Sequence, residues 1–239
     1  MKEIKLFVVF FALIMFVSYS VLVSYSAAWK IPIDIFKKTD IFKKSDNDKR
    51  SKVFANSVVI ANINFAMACQ STLLAAGKSE DAERLGKIIA DMQKNRDDYT
   101  SAKKFEETLD EIKNATKKMK SINYSKDLNY SIARKEVGKA LLFFGIATYF
   151  DTQAVNKGKD LAPDLTREVK KDPLNYIKLN NYLSFVRIVA TNIPNQLIMI
   201  ENVTKNLIRY AKSKGCKVPS KNKINKEIEK QRPDACGGV

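Results

Sequence analysis

The 239-residue chain contains no histidine. This excludes Ser-His-Asp and Cys-His nucleophilic sites, His-ligated zinc or haem, and imidazole acid–base chemistry. Glycine and proline are also scarce, at eight and six residues. A sandwich or barrel needs many tight turns built from those residues, so the scarcity points to helices joined by short links. The three cysteines have no metal-ligand spacing. There is no Gly-rich phosphate loop, nucleotide fingerprint, CxxC pair, calcium loop or G-x-S-x-G, and nothing in the sequence calls for a cofactor.

Charge of one sign is in excess. Lys and Arg number 42 against 26 Asp and Glu, a net charge of +16. Such a balance favours anionic partners such as nucleic acid, lipid head groups or acidic polysaccharide. It also serves general solubility, because the lysines are distributed along the whole chain.

The N-terminus carries the one long apolar run. Lys2 and Lys5 precede Leu6–Ala28, 23 residues without a charge. Ser26-Ala27-Ala28 fits a small-x-small cleavage site, which makes residues 1–28 a secretory signal and Trp29 the mature N-terminus. The alternative is an uncleaved anchor, since 23 residues suffice to cross a bilayer. Both readings place the remainder outside the cytoplasm, periplasmic or secreted. That location puts intracellular nucleic acid out of reach. It also suits a disulfide between Cys216 and Cys236, twenty residues apart, which would contribute about 3 kcal/mol by the chain-entropy argument. Cys69, in "FAMACQSTLLAA", reads as a small core residue.

Residues 29–51 form a basic linker containing the phrase DIFKK[TS] twice in succession. Ile35, Phe36, Lys37 and Lys38 recur as Ile41, Phe42, Lys43 and Lys44. Apolar residues beside paired lysines make this segment either a plain spacer or a docking arm for a partner or an anionic surface.

From residue 52 to 215 the text is helical. Val59, Ile63, Ala66, Gln70 and Leu73 share one face of a helix that Gly77 stops, and Ser79 is placed to cap the next. Residues 100–121 give a polar helix with a narrow stripe of Phe105, Leu109, Ile112 and Met119. Its Glu106-Glu107 and Asp110-Glu111 pairs read as a solvated face. Residues 126–156 are apolar around most of the circumference and read as the central helix, ending near Gly158 and Pro163. Lys139, Tyr149, Asp151 and Gln153 are its polar residues, where a buried site would be sought. Asp172-Pro173 starts a further helix, Asn192-Ile193-Pro194 breaks it, and a last long helix runs to Gly215. Residues 216–239 are a polar, basic tail with one short helix at Ile224–Gln231.

The expectation is therefore an all-α protein, an antiparallel bundle of about six helices behind an N-terminal signal or anchor. Two further patterns are weak. Asn114, Asn123, Asn129 and Asn202 begin glycosylation sequons, as expected by chance in an Asn-rich chain. Seven tyrosines, among them Tyr99, Tyr124, Tyr149, Tyr182 and Tyr210, accompany lysines along the helices, which suits either the core edge or contact with sugars or phosphates.

The functional reading is an exported, non-enzymatic binding or adaptor protein at the cell envelope, whose basic surface meets an acidic partner or anionic membrane. The alternatives are an envelope assembly component held by the uncleaved anchor and, less favoured, a His-independent extracytoplasmic enzyme. Mass spectrometry of the protein from its native source is expected to show a chain starting at Trp29; an intact Met1 would establish the anchor instead.

Overall fold

The computed structural model describes residues 47–171 and 176–233. The signal or anchor, the doubled phrase with its arm residues, the Asp172-Pro173 helix start and Cys236 lie outside the described residues. The described chain is all-helical, with no strand. Its helices are α1 (Asn47–Ala75), α2 (Ser79–Lys94), α3 (Ala102–Lys120), α4 (Tyr130–Lys171), α5 (Tyr176–Lys214) and α6 (Lys221–Gln231). A single 3-10 turn, Asp98–Thr100, precedes α3.

The helix expected to show one apolar face is enclosed on every side. From Phe54 to Cys69 only Asn56 and Met67 are even partly exposed, and both are half-buried. Four paired positions define its main neighbour. Asn47 bonds Glu168 (2.6 Å), Arg50 bonds Asp164 (2.9 Å), Phe54 abuts Gly158 and Phe65 lies 6.1 Å from Phe144 between ring centroids. Numbers rise on α1 as they fall on α4, so the two helices run antiparallel. α5 packs along α4, and α2 and α3 pack on α1.

Two glycines act as read from the sequence. Gly77 and Gly215 both have φ near +70° (70° and 66°), the left-handed conformation that ends helices. After each, the following amide closes a six-residue loop: Lys78 N–H donates to Leu73 O (2.9 Å) and Cys216 N–H to Ala211 O (2.9 Å). The first of these bonds shifts the start of α2. Lys78, not Ser79, holds its N-cap position, and no side chain caps there. The N-terminus of α3 is served from a distance, by Asn181 of α5. Its Oδ1 accepts from Ala102 N–H (2.9 Å) and its Nδ2 donates to Thr100 O (3.3 Å).

Two expected breaks are not breaks. α4 continues through Gly158 and Pro163 to Lys171, and α5 continues through Pro194. A proline inside a helix costs about 3 kcal/mol through the lost N–H bond and the clash with the preceding turn. Beyond Pro163, Leu165 is fully buried and Asp164 meets Arg50; Leu161 is buried just before it. Full burial of a leucine contributes about 1.5–3 kcal/mol, so continuation wins. Pro163 itself faces solvent, where its free carbonyl partner can be hydrated. Around Pro194 the buried Val189, Ile193, Leu197 and Ile200 do the same work. There Thr191 Oγ1 donates to Arg187 O (2.6 Å) and Asn192 Nδ2 to Ile188 O (3.1 Å).

By length and composition alone, Lys49–Ala75 and Leu179–Lys214 could each cross a membrane. Within the protein, 83% of the most apolar α1 window and 56% of that of α5 are buried, so their apolar surface is spent largely on the core.

The basic tail is docked. Ile224 and Ile228 of α6 bury into a small cluster with Ile60, Ala61, Ile146, Tyr149 and Phe150. Asn64 Nδ2 also donates to Gln231 Oε1 (2.7 Å). Gly138 and Gly145, two turns apart on α4, open the groove for this segment. A Cβ at Gly145 would sit 3.1 Å from Ile224 Cδ1, and one at Gly138 2.9 Å from the Lys217 carbonyl oxygen. Gly→Ala within a helix ordinarily stabilises by about 1 kcal/mol. Gly138→Ala is expected to reverse that sign, destabilising by about 1–2 kcal/mol in urea unfolding and raising hydrogen exchange in α6.

Candidate functional site

The four polar residues of the apolar helix do not converge. Lys139 is half-exposed and paired with Glu136 (2.7 Å). Tyr149 packs edge-on to Phe150 (5.2 Å, 87°) in the small cluster under α6. Gln153, four residues on from Tyr149, shares its side of α4. Asp151 lies on the opposite side and is wholly buried. Gln196 of α5 donates to its Oδ2 (2.9 Å), while Oδ1 has no hydrogen-bond partner among the described residues. Burial pushes this carboxyl well above the usual carboxylate range, and the Gln196 bond offsets only part of that. Asp151 is thus a polar cross-link between α4 and α5 whose surroundings favour the protonated form.

The acidic pairs of α3 are a solvated face: Glu106, Glu107, Asp110 and Glu111 are all exposed. A small hollow of about 260 Å³ between α2 and α3 contains Asp81, Arg84, Glu111, Lys117 and Lys118. Asp81 accepts hydrogen bonds from Lys118 and from Arg84, and the Lys118 bond, above all, holds its carboxyl below the usual range. The Asp81–Lys118 pair joins α2 to α3, which makes the hollow a helix–helix tie. Tyr99 likewise spends its hydroxyl on Asp91. Among the described residues no cluster of three Cys, Asp or Glu side chains could hold a metal ion.

One cleft has the opposite character. It measures about 680 Å³ and lies between the loop after α3 and the last turns of α5. Ile122, Asn123, Tyr124 and Ser125 form one wall; Asn206, Arg209, Tyr210, Ser213 and Lys214 form the other. No carboxylate lines it. On α5, Asn206, Tyr210 and Ser213 fall at i, i+4 and i+7 and make one stripe, with Arg209 on one flank and Lys214 on the other. Neither cation makes an ion pair with a described residue.

The loop wall is built by local bonds. Asn123 Oδ1 accepts from Ser125 N–H (3.2 Å) and from Ser125 Oγ (2.7 Å), leaving the Asn123 NH₂ as a donor. Asp127, just outside, accepts from Asn123 N–H (2.7 Å). Tyr124 donates to Met119 O (3.2 Å), and Asn129 N–H ties the loop to Ala75 O at the end of α1 (2.9 Å). Tyr210 is 5% exposed, and its hydroxyl is buried with no partner among the described residues. Such a group costs about 1–3 kcal/mol. Burial, with the nearby Cys216 and Tyr130, raises its phenol above the ordinary range.

The sequence pointed to Tyr124 and Tyr210 only within a list of seven tyrosines, and it missed Asn206, Arg209, Ser213 and Lys214. The readable signal was the polar stripe beside the inner face of α5. The two described cysteines are both buried, Cys69 in the core and Cys216 beneath the α5 cap. Burial raises the Cys69 thiol far above its ordinary value, as suits a packing residue. The Cys216–Cys236 pairing falls partly outside the described residues. No protein-family model, curated protein or solved structure matches the chain.

Because burial raises the Asp151 carboxyl in the folded state, while the unfolded group loses its proton above about pH 4, its contribution to stability falls as pH rises from there. Asp151→Asn keeps an acceptor for Gln196 and is expected to be more stable than the parent at pH 7. Its pH–stability profile between pH 5 and 8 should be flatter, as measured by thermal unfolding. Asp151→Ala should lose about 2 kcal/mol.

Proposed function

We propose that the protein is an exported, non-enzymatic binding or adaptor protein of the cell envelope, an antiparallel helical bundle whose basic surface engages an acidic partner. The observation that carries this reading is the position of its unpaired charge. Between Lys205 and Arg232 lie ten basic and two acidic residues. Lys205, Lys230 and Arg232 pair with Glu201, Glu227 and Glu229. The other seven, Arg209, Lys212, Lys214, Lys217, Lys221, Lys223 and Lys226, are all exposed and make no ion pair with a described residue. The excess charge is therefore concentrated on the end of α5, α6 and the link between them.

Solubility does not require such a cluster. Scattered charge gives solubility without the mutual repulsion that seven neighbouring cations carry. An anionic partner relieves that repulsion. The packing of α6 on Gly138 and Gly145 holds the lysines of the tail against the body, so they form a fixed surface. The N-terminal segment supplies the route out of the cytoplasm, and the doubled Ile-Phe-Lys-Lys phrase adds four lysines of the same sign.

The purified chain is expected to bind vesicles containing anionic lipid, or an acidic polysaccharide, at low salt and to release them by about 0.3 M salt. Replacing Lys217, Lys221, Lys223 and Lys226 together by Gln should weaken binding a hundredfold or more, at about 1 kcal/mol per lysine near an anionic surface. Absence of binding at low salt would reduce the charge to a solubility role. Much tighter binding to duplex DNA than to either surface would sink the envelope reading.

A further inference from the structure

We propose that the cleft between the loop after α3 and the end of α5 is a binding site for an acidic saccharide, one or two sugar units carrying a carboxylate or phosphate. This rests on the reading that the protein works by meeting an acidic partner, and it gives that partner a chemical class.

The argument begins with what lines the cleft. Arg209 and Lys214 supply two positive charges with no carboxylate on the walls to neutralise them. They stand on either flank of the Asn206–Tyr210–Ser213 stripe, so an anion can be reached from both sides. The neutral groups outnumber the cations. Asn206 makes no side-chain hydrogen bond with a described residue, and the NH₂ of Asn123 is left over from its turn with Ser125. Ser125 and Ser213 add hydroxyls, both on exposed residues. A bare anion would use the charges and leave these amides and hydroxyls idle. A ring rich in hydroxyls uses both.

The apolar surface is limited and aromatic. Among the described residues, Tyr124 and Tyr210 are the rings on the walls and Ile122 the aliphatic residue. Tyr210 is buried behind the surface, and the half-buried Tyr124 can turn its ring to the C–H face of a sugar, whereas a long acyl chain would find no channel. The volume, about 680 Å³, falls within the range of small-ligand sites.

The test is calorimetric titration of the full chain at low salt with glucuronic acid, glucose 6-phosphate, glucose and inorganic phosphate. Either or both acidic sugars are expected to bind at least tenfold more tightly than glucose and than inorganic phosphate; which of the two prevails identifies the anion. Arg209→Gln with Lys214→Gln should weaken that binding by tenfold or more. Asn206→Ala, which keeps every charge, should weaken it several-fold while circular dichroism shows the fold intact. The proposal is overturned if neither acidic sugar binds at millimolar concentration, if inorganic phosphate binds as well as glucose 6-phosphate, or if both variants keep the parent affinity. Vesicle and polymer binding measured beside it separates the two readings. Polymer binding without sugar binding refutes the cleft alone, and sugar binding without polymer binding refutes the broader surface alone.

Discussion

Everything else in the structure depends on the enclosure of α1. A helix with no solvent face must satisfy its own polar side chains or find partners in its neighbours. α1 does mostly the former. Ser57, Asn62, Asn64 and Thr72 each donate to the carbonyl four residues earlier, in turn Val53, Val58, Ile60 and Ala68. Such bonds let a polar side chain lie in the interior without a dedicated partner across the interface. The apolar remainder is then free to pack in all directions: against α4 along its length, against α2 and α3 on another side, and against α6 through Ile60 and Ala61.

The local signals of the sequence were read well where one residue decides the outcome. Gly77 and Gly215 end helices because only a left-handed residue closes those turns. The helix caps were read less well: Ser79 does not cap α2, and the tail helix, placed from Ile224, starts at Lys221 behind a capping serine, Ser220, whose side chain accepts from Lys223 N–H. The acidic pairs of α3 stayed in solvent because a narrow apolar stripe leaves the rest of that helix exposed. Reading failed where distant residues decide. Pro163 and Pro194 carry a local penalty, but Leu165 buried beyond one and Leu197 beyond the other outweigh it. The enclosure of α1 was read as a single face because periodicity cannot show how many neighbours a helix will have. The cleft was equally hidden, since residues 122–125 and 206–214 are brought together only by the packed fold.

Charge and burial are divided along the molecule. At the α1–α4 end, Arg50 neutralises Asp164 and Asn47 donates a hydrogen bond to Glu168 at the boundary of the core. At the α5–α6 end, seven of the ten cations have no such partner among the described residues, and the tail that carries most of them is anchored by two isoleucines and one amide–amide hydrogen bond. The first arrangement stabilises the fold internally. The second leaves its favourable electrostatic energy to be gained with another molecule, which is why the candidate sites gather there and not at the buried carboxyl of Asp151.

The covering of α1 also has a meaning for the order in which the chain is made. α1 is the first helix of the described chain to be synthesised, and its antiparallel neighbour α4 begins only at Tyr130. The residues that shield Ile60 and Asn64 from the other side, Ile224 and Gln231, come near the end. A growing chain therefore carries an apolar helix of 29 residues that cannot be fully hidden until the tail has emerged. Such late completion leaves the nascent protein open to aggregation. On the export route proposed above, the same delay would keep the native state from closing before the chain has crossed.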